Sequence, residues 1–270
     1  MKEYKGYNNR MFLRNIFDQV ALDYDKVRPG YPNNLIEDII SISTIPKEGR
    51  ILEIGCGTRQ ATVPFAKLGY SMTCLDIGKE LAKFATKKCK NYPKVKIHSI
   101  SFEDWQPKLN TFDLVISATA FHWIQPEIGY PKVAKVLNNS GYFAIFLNLH
   151  PRPYKGFFNK VQNIYNKVVP EWKSKDKKLS TEDNIISTEN YINRTGLFEK
   201  VLIIKYPWVK KYKTQDYLRL LNTYSDHRNL QETRRVQLFE GIGELIDNKY
   251  GGTIIRPYLS VLYIARKRGG

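Results

Sequence analysis

From residue 50 to residue 149 the apolar positions of this chain switch between two rhythms. Short blocks that are apolar almost throughout, "RILEI", "SMTCLDI", "VKIHSI", "TFDLVIS" and "YFAIFLNL", read as strands. Segments with apolar residues every three or four positions read as helices: "RQATVPFAKLG", stopped by Gly69, "KELAKFATKKCK", and "YPKVAKVLNNSG", ended by Gly141. The unbroken apolar centre of "TFDLVIS" suits a strand buried on both faces, and repeated strand–helix units imply a parallel sheet covered by helices. Upstream, residues 12–23 have helical spacing, "YDKVRPGYP" (24–32) is broken by Pro29 and Pro32, and "NNLIEDIISIS" reads as a helix capped by Asn33 or Asn34. After residue 150 the alternation stops. "YKGFFNKVQNIYNKVVPEW", "TQDYLRLLNTYS" and "QETRRVQLFEGIGELIDNKYG" read as helices, while "FEKVLIIKYPWV" and "TIIRPYLSVLYIARK" read as strands that rejoin the sheet.

The expected architecture is an α/β fold with a doubly wound, mostly parallel seven-stranded sheet and a helical cap inserted late in the chain. Residues 1–45 form a helical lead-in and 46–150 the core. Residues 151–196 and 212–252 form the cap, and 197–211 and 253–268 supply the last two strands.

Composition narrows the function classes. Over 270 residues, 43 Lys and Arg against 26 Asp and Glu give a charge of +17, which invites a nucleic-acid reading. The densest clusters, "KKCKNYPKVK" (87–96), "KSKDKK" (173–178) and "KKYK" (210–213), form no stripe, so solvated faces and loops are the favoured reading. No apolar run approaches membrane-spanning length, and "MKEYKGYNNRMFLRN" lacks a secretory apolar stretch. Cys56, Cys74 and Cys89 have neither CxxC nor zinc-ligand spacing. The expectation is a cytosolic protein, monomer or homodimer, with no membrane contact and no metal.

The chemistry concentrates in "ILEIGCGTRQAT" (51–62), an apolar strand running into a glycine turn. Such a turn lets a ligand approach the backbone, and the helix after it offers free N–H groups. Ligands of open parallel sheets collect beyond the strands' carboxyl ends, where Glu53 and Asp76 both point. Asp76 ends the second strand about twenty residues after the glycines, where an acidic side chain accepts from ribose hydroxyls. The dinucleotide fingerprint GxGxxG fails, because Gln60 stands where its third glycine belongs.

"LEIGCGT" together with "FDQVALDYDKVRPGYP", "SFEDW" (101–105), "FDLVISATAFHW" (112–123) and "LLNTYSDHRNL" (220–230) resembles the class I methyltransferases that use S-adenosylmethionine (SAM). More narrowly it resembles the type 11 group of small-molecule enzymes related to trans-aconitate methyltransferases. The resemblance implies a Rossmann-like core and SAM as cofactor, with S-adenosylhomocysteine as its product. It implies that Glu53, Gly55 and Gly57 line the methionine and ribose, Asp76 holds the ribose, and Ile77, Phe102 and Glu103 surround the adenine. Ser117 would lie beneath the methionine, and Tyr24 and Arg28 would close over the cofactor. His122 is the candidate catalytic base and faces the methyl group with Trp123. Tyr224 and His227 are candidates for the acceptor pocket.

This sequence departs from the pattern at Arg59, where glycine is common, at Ser140 and at Gln125. With ordinary helical angles Arg59 leaves the backbone intact and swings outward or meets the cofactor carboxylate; otherwise its bulk blocks the pocket. A cation in a helix's first turn costs only roughly 0.3–1 kcal/mol. The expected function is methyl transfer to a small molecule. A carboxylate acceptor fits the absence of an unmistakable base. The alternatives are an RNA methyltransferase using the basic surface, and a binding protein that keeps the fold without catalysis. Phe157, Phe158, Tyr165, Trp172, Tyr217 and Tyr224 would supply an apolar enclosure in the cap.

Overall fold

The computed structural model describes residues 21–152, 154–175 and 180–269. Most of the helix expected over 12–23, and 176–178 of one lysine cluster, lie outside the described residues.

Seven strands form one sheet: β1 (Arg50–Ile54), β2 (Ser71–Asp76), β3 (Val95–Ser99), β4 (Phe112–Ala118), β5 (Leu137–Leu149), β6 (Leu202–Lys213) and β7 (Thr253–Arg266). Their spatial order is β3-β2-β1-β4-β5-β7-β6. The first five run parallel, and β7 pairs antiparallel with both β5 and β6. The order reverses between β1 and β4, which opens a crevice at their carboxyl ends.

Strand alternation divides the core. Leu52, Val115, Phe143, Val261 and Tyr263 face one layer; Ile51, Leu114, Ile116, Phe146 and Leu262 face the other. The second layer receives α2 (Asn33–Ser43), through Leu35 and Ile39, and α3 (Thr62–Lys67), through Phe65. The first receives α5 (Pro126–Val136) and α8 (Thr181–Arg194), whose Ile185 and Ile192 pack beside Phe143 and Phe198. The segment 181–194, expected in the cap, therefore packs on the core sheet.

Other expectations change in detail. Pro32, not an asparagine, caps α2: its carbonyl accepts from Leu35 N at 3.1 Å, which puts Asn33 and Asn34 in the first turn. The helix expected to end at Gly141 stops at Val136, and β5 begins at once. Asn138 donates to Asp113, whose other oxygen accepts from Arg50 N at 2.7 Å, so a register shift rather than a helix end occupies 138–141. The "KKYK" cluster lies in β6, at the open edge of the sheet, where lysines discourage pairing with another chain.

Beyond the end of β5, residues 253–258 pair only with 208–213, forming a two-stranded ribbon. Around it pack α6 (Phe157–Lys160), α7 (Gln162–Val168), α9 (Thr214–Asn222), α10 (Ser225–Arg228) and α11 (Glu232–Tyr250). Their shared apolar cluster includes Phe157, Tyr217, Leu220, Leu238 and Ile242, and it takes in Val27 of the lead-in helix α1 (Ala21–Val27). The remaining helix, α4 (Lys79–Lys88), follows β2 and buries Leu81, Ala82 and Ala85.

Candidate active site

A cavity of about 470 Å³ opens at the carboxyl ends of β1, β2 and β4, within the range of cofactor sites. Its floor is the turn after β1, where Gly55 (φ +74°) and Gly57 (φ +54°) take left-handed angles. A Cβ on Gly55 would fall 2.3 Å from that of Ala120, whereas one on Gly57 meets nothing nearer than 3.6 Å. Gly55 is thus fixed by close approach as well as angle, and Gly57 leaves room above the turn. The amides of Gly55 and Cys56 donate to Leu75 O at 2.8 and 3.0 Å, tying the turn to β2.

Asp76 organises this floor. Its Oδ2 accepts from Gly57 N at 2.7 Å and its Oδ1 from Gly78 N at 2.8 Å. The residue lines the cavity, and an ionised carboxylate is an acceptor for hydroxyl donors. Beyond it Ile77, Leu81, Ile100 and Phe102 form an apolar end suited to a flat ring.

Glu53 is fully buried beneath the turn. Its Oε2 accepts from Thr62 Oγ1 at 2.7 Å and Cys74 Sγ at 3.6 Å, while its Oε1 has no partner. Burial raises its pKa to about 7, against the hydrogen bonds that lower it and with Asp76 adding to the rise. It borders a smaller cavity of about 90 Å³ shared by the glycine turn, Arg28, Tyr258 and Arg256. An orphaned buried oxygen beside an open glycine cradle fits a site that takes a polar ligand.

The lead-in closes the mouth. Arg28 donates from Nε to Thr223 Oγ1 at 2.9 Å and from Nη2 to Thr223 O at 2.7 Å. Its guanidinium is sandwiched between Tyr24 and Tyr224, 4.7 and 4.5 Å from their ring centres. It joins lead-in to cap across the cavity and retains donors for a ligand.

Arg59 does not take helical angles. Its φ is +87°, because the turn continues through it and α3 starts only at Thr62. Its side chain reaches Asp25 of α1, with Nη2 3.6 Å from Oδ1. Arg59 is absent from the lining of the three cavities described. The glycine-like position is occupied at a strain of about 1–2 kcal/mol, and the arginine ties down the lead-in.

Of the residues singled out in the sequence, the main cavity gathers Tyr24, Arg28, Gly55, Gly57, Asp76, Ile77, Phe102, His122, Trp123 and Tyr224. His122 is exposed at its rim, in a short turn over Phe121–Trp123. Ser117 does not reach it: the residue lies inside β4, fully buried, donating to Ile54 O at 2.8 Å. Glu103 is also outside the lining, and its carbonyl accepts from Lys132 Nζ at 2.9 Å. His227 lines a second cavity of about 200 Å³ in the cap, clamped between Asp226 Oδ1 at 2.7 Å and Tyr165 Oη at 2.8 Å. Phe158, Tyr165, Trp172, Tyr217 and Tyr224 line that chamber with it, whereas Phe157 packs in the cluster behind. Tyr224 and Asp226 border both cavities. The sequence reading missed Thr119, whose φ of +55° and bond to Tyr31 Oη (2.7 Å) shape the end of β4, and Arg256. An isolated threonine and an arginine inside a strand carry no sequence signal.

Strand order, the glycine turn after β1 and the aspartate that ends β2 are those of the class I SAM-dependent methyltransferase fold. Residues 52–145 match the methyltransferase domain family known as type 11. A Saccharomyces cerevisiae protein described as a SAM-dependent methyltransferase is 27% identical over 148 residues, 53% of this chain and 50% of that one. A Schizosaccharomyces pombe methyltransferase of undescribed substrate is 23% identical over 235 residues, 83% and 84% of the two chains. The malonyl-[acyl-carrier protein] O-methyltransferase of Geobacter sulfurreducens is 26% identical over 144 residues, 52% and 54%. Over several of the curated relatives that it matches, the chain spans about half their length. A solved structure described as a type II methyltransferase from Anaeromyxobacter dehalogenans superposes with a TM-score of 0.60 at 18% identity, covering 89% of this chain and 96% of that one. The trans-aconitate likeness finds no counterpart among these relatives. No helix among the described residues is long and apolar enough to cross a membrane, and none of their His, Cys, Asp and Glu side chains group as a metal site.

Proposed function

We propose that this protein transfers the methyl group of SAM to a small-molecule acceptor held between the strand ends and the cap. The observation that carries this reading is the floor of the main cavity: an aspartate fixed by two loop amides, beside an open glycine cradle and opposite an apolar slot.

In this reading Asp76 holds the ribose hydroxyls, with Ile77 and Phe102 against the adenine. Gly55, Gly57 and Glu53 border the methionine, and Arg28 or its neighbour Tyr24 covers it. Glu103 acts on the adenine end only through the backbone that positions Phe102, and Ser117 acts by joining β4 to β1. SAM supplies an activated methyl group when bound. The chain's task is to align the acceptor, exclude water and, for an amine or hydroxyl acceptor, take a proton. His122, at the rim beside Trp123, is the residue placed for that proton; a carboxylate acceptor needs none. Tyr224 and His227 belong to the acceptor's side.

Calorimetric titration with SAM and with S-adenosylhomocysteine tests the reading. One site per chain with micromolar affinity, on the order of −8 kcal/mol, is expected. A carboxylate, phenol and amine panel with labelled SAM then identifies the acceptor. Absence of binding by either cofactor form would end the enzyme reading. Binding of RNA that falls steeply with salt, with methyl label entering it, would favour the nucleic-acid alternative.

A further inference from the structure

The cap chamber contains a guanidinium that no carboxylate of the described residues pairs with. Arg256 lies in the β6–β7 ribbon, its guanidinium carbon 5.1 Å from the ring centre of Tyr258 and 5.8 Å from those of Tyr224 and Phe158. Its Nε is fully buried and makes no hydrogen bond. It forms no ion pair among the described residues. A guanidinium is charged at every physiological pH; this one is half-buried, with the Tyr217 side chain as a hydrogen-bond partner but no carboxylate beside it. The surrounding ring faces stabilise the charge in part. They do not supply the hydrogen-bond acceptor that Nε lacks.

The rest of the chamber wall has the same polarity. Arg152 lines it, 5.0 Å from the ring of Tyr154. Beside it His150 is held neutral, its pKa pushed down to about 3 by burial and by Arg256 and Arg152; its Nδ1 is buried without a partner. The acidic side chain at this wall, Asp226, is engaged by both the ring and the backbone N–H of His227 at 2.7 and 2.8 Å. The chamber thus offers donors and positive charge in about 200 Å³, room for a small group and not for a polymer.

We propose that this chamber binds an oxyanion of the methyl acceptor, a carboxylate or a phosphate, with Arg256 as the residue that recognises it. Its identity as acceptor rests on the methyl-transfer reading above. Because Tyr224 and Asp226 border both cavities, a molecule anchored at Arg256 extends past Tyr224 toward Trp123 and His122. An oxyanion whose lone pairs are engaged by a guanidinium is a poor nucleophile, so this group is the anchor and another atom of the molecule receives the methyl. Arg256 also borders the small cavity beside the glycine turn. The rival occupant is therefore the carboxylate of the cofactor itself.

The test is calorimetry on wild type, Arg256→Gln and Arg256→Lys, titrated with glutarate, citrate and inorganic phosphate, with and without saturating S-adenosylhomocysteine. Wild type should bind at least one probe saturably, and carboxylate against phosphate preference identifies the source. Arg256→Gln should weaken that binding at least tenfold and Arg256→Lys less, with S-adenosylhomocysteine affinity unchanged within twofold. Equal anion binding by wild type and Arg256→Gln would assign it to surface lysines and overturn the proposal. So would no saturable binding by wild type, or a tenfold loss of S-adenosylhomocysteine affinity in Arg256→Gln. Failure of S-adenosylhomocysteine to bind wild type refutes the methyl-transfer reading separately, since the anion titrations without it still report on the chamber. Should Arg256→Gln not fold, the His150 imidazole of wild type provides the second measurement. Its ring resonances at neutral pH, where the probe is an anion, should shift on adding the probe, and unmoved resonances at saturating probe would overturn the proposal.

Discussion

The strand-end cavity and the cap chamber meet at Tyr224 but are made differently. In the first, the polar geometry is backbone: the amides of Gly55, Cys56, Gly57 and Gly78 are locked onto Leu75 and Asp76. In the second it is side chain: Arg256, Arg152, His150, His227 and Tyr165 arrive from the ribbon, the loop after β5 and two cap helices. A backbone-built site tolerates almost no change, because each amide is positioned by dihedral angles that few residues adopt. A side-chain-built site can be remodelled one residue at a time while the ribbon and helices stand.

The largest effect that would break the contrast is expected at Gly55. Gly55→Ala places a Cβ 2.3 Å from that of Ala120 at a φ of +74°. We expect a loss of roughly 3 kcal/mol, seen calorimetrically as a Tm lower by about 6–12 °C. An unchanged Tm would show that the turn yields. Next is Glu53. Its carboxyl titrates near 4.5 when unfolded and near 7 in the fold, so the native state holds the extra proton between those values. Its favourable contribution is complete below pH 4.5 and is lost as pH rises through 7, an amplitude of about 3 kcal/mol. Denaturant unfolding from pH 4 to pH 8 should therefore show wild type losing stability relative to Glu53→Gln by about that amount; parallel curves would deny the raised pKa.

Asp76→Asn sharpens the contrast at the ligand. An amide turns one acceptor into a donor facing an N–H of the turn, and S-adenosylhomocysteine should bind about 30-fold more weakly, roughly 2 kcal/mol by calorimetry. Tyr165→Phe in the chamber removes a hydroxyl but keeps the ring, so cofactor affinity should not move. The smallest effect is expected at Arg59. Arg59→Gly relieves left-handed strain but gives up the Asp25 pair and adds chain entropy to the unfolded state. Stability and cofactor affinity should both stay within about 1 kcal/mol of wild type, and complete loss of binding would mean that the lead-in depends on this one tie.

The same contrast decides what the chain discloses in one dimension. The strand rhythm, Gly55, Gly57 and Asp76 lie in one short stretch whose spacing is dictated by dihedral angles and a strand length, so they are readable. Arg59 is not, because a left-handed arginine is visible only once Asp25 is brought beside it. Ser117 was read at the cavity because β4 extends one residue further than its apolar pattern indicates. The cap chamber is still less readable: Arg256 sits in an ordinary strand pattern, and its want of a carboxylate partner exists only after three tyrosines and a phenylalanine have folded around it. The segment 181–194 went to the wrong layer because an amphipathic helix does not announce which apolar surface it will cover.

The ribbon has a mechanical consequence. Twelve consecutive residue pairs, from Leu202–Ile264 to Lys213–Thr253, run from the heart of the sheet to the far end of the cap without a break. A beam so hydrogen-bonded bends little, so the wall that carries Arg256 moves with the sheet and not against it. The lead-in is attached through side chains instead: Arg59 to Asp25, Arg28 to Thr223, Tyr212 Oη to Val27 O at 3.3 Å, and Val27 itself seated in the cap cluster. The far wall of the chamber is thus continuous with the sheet itself, while the near wall is an added piece, fastened by side chains.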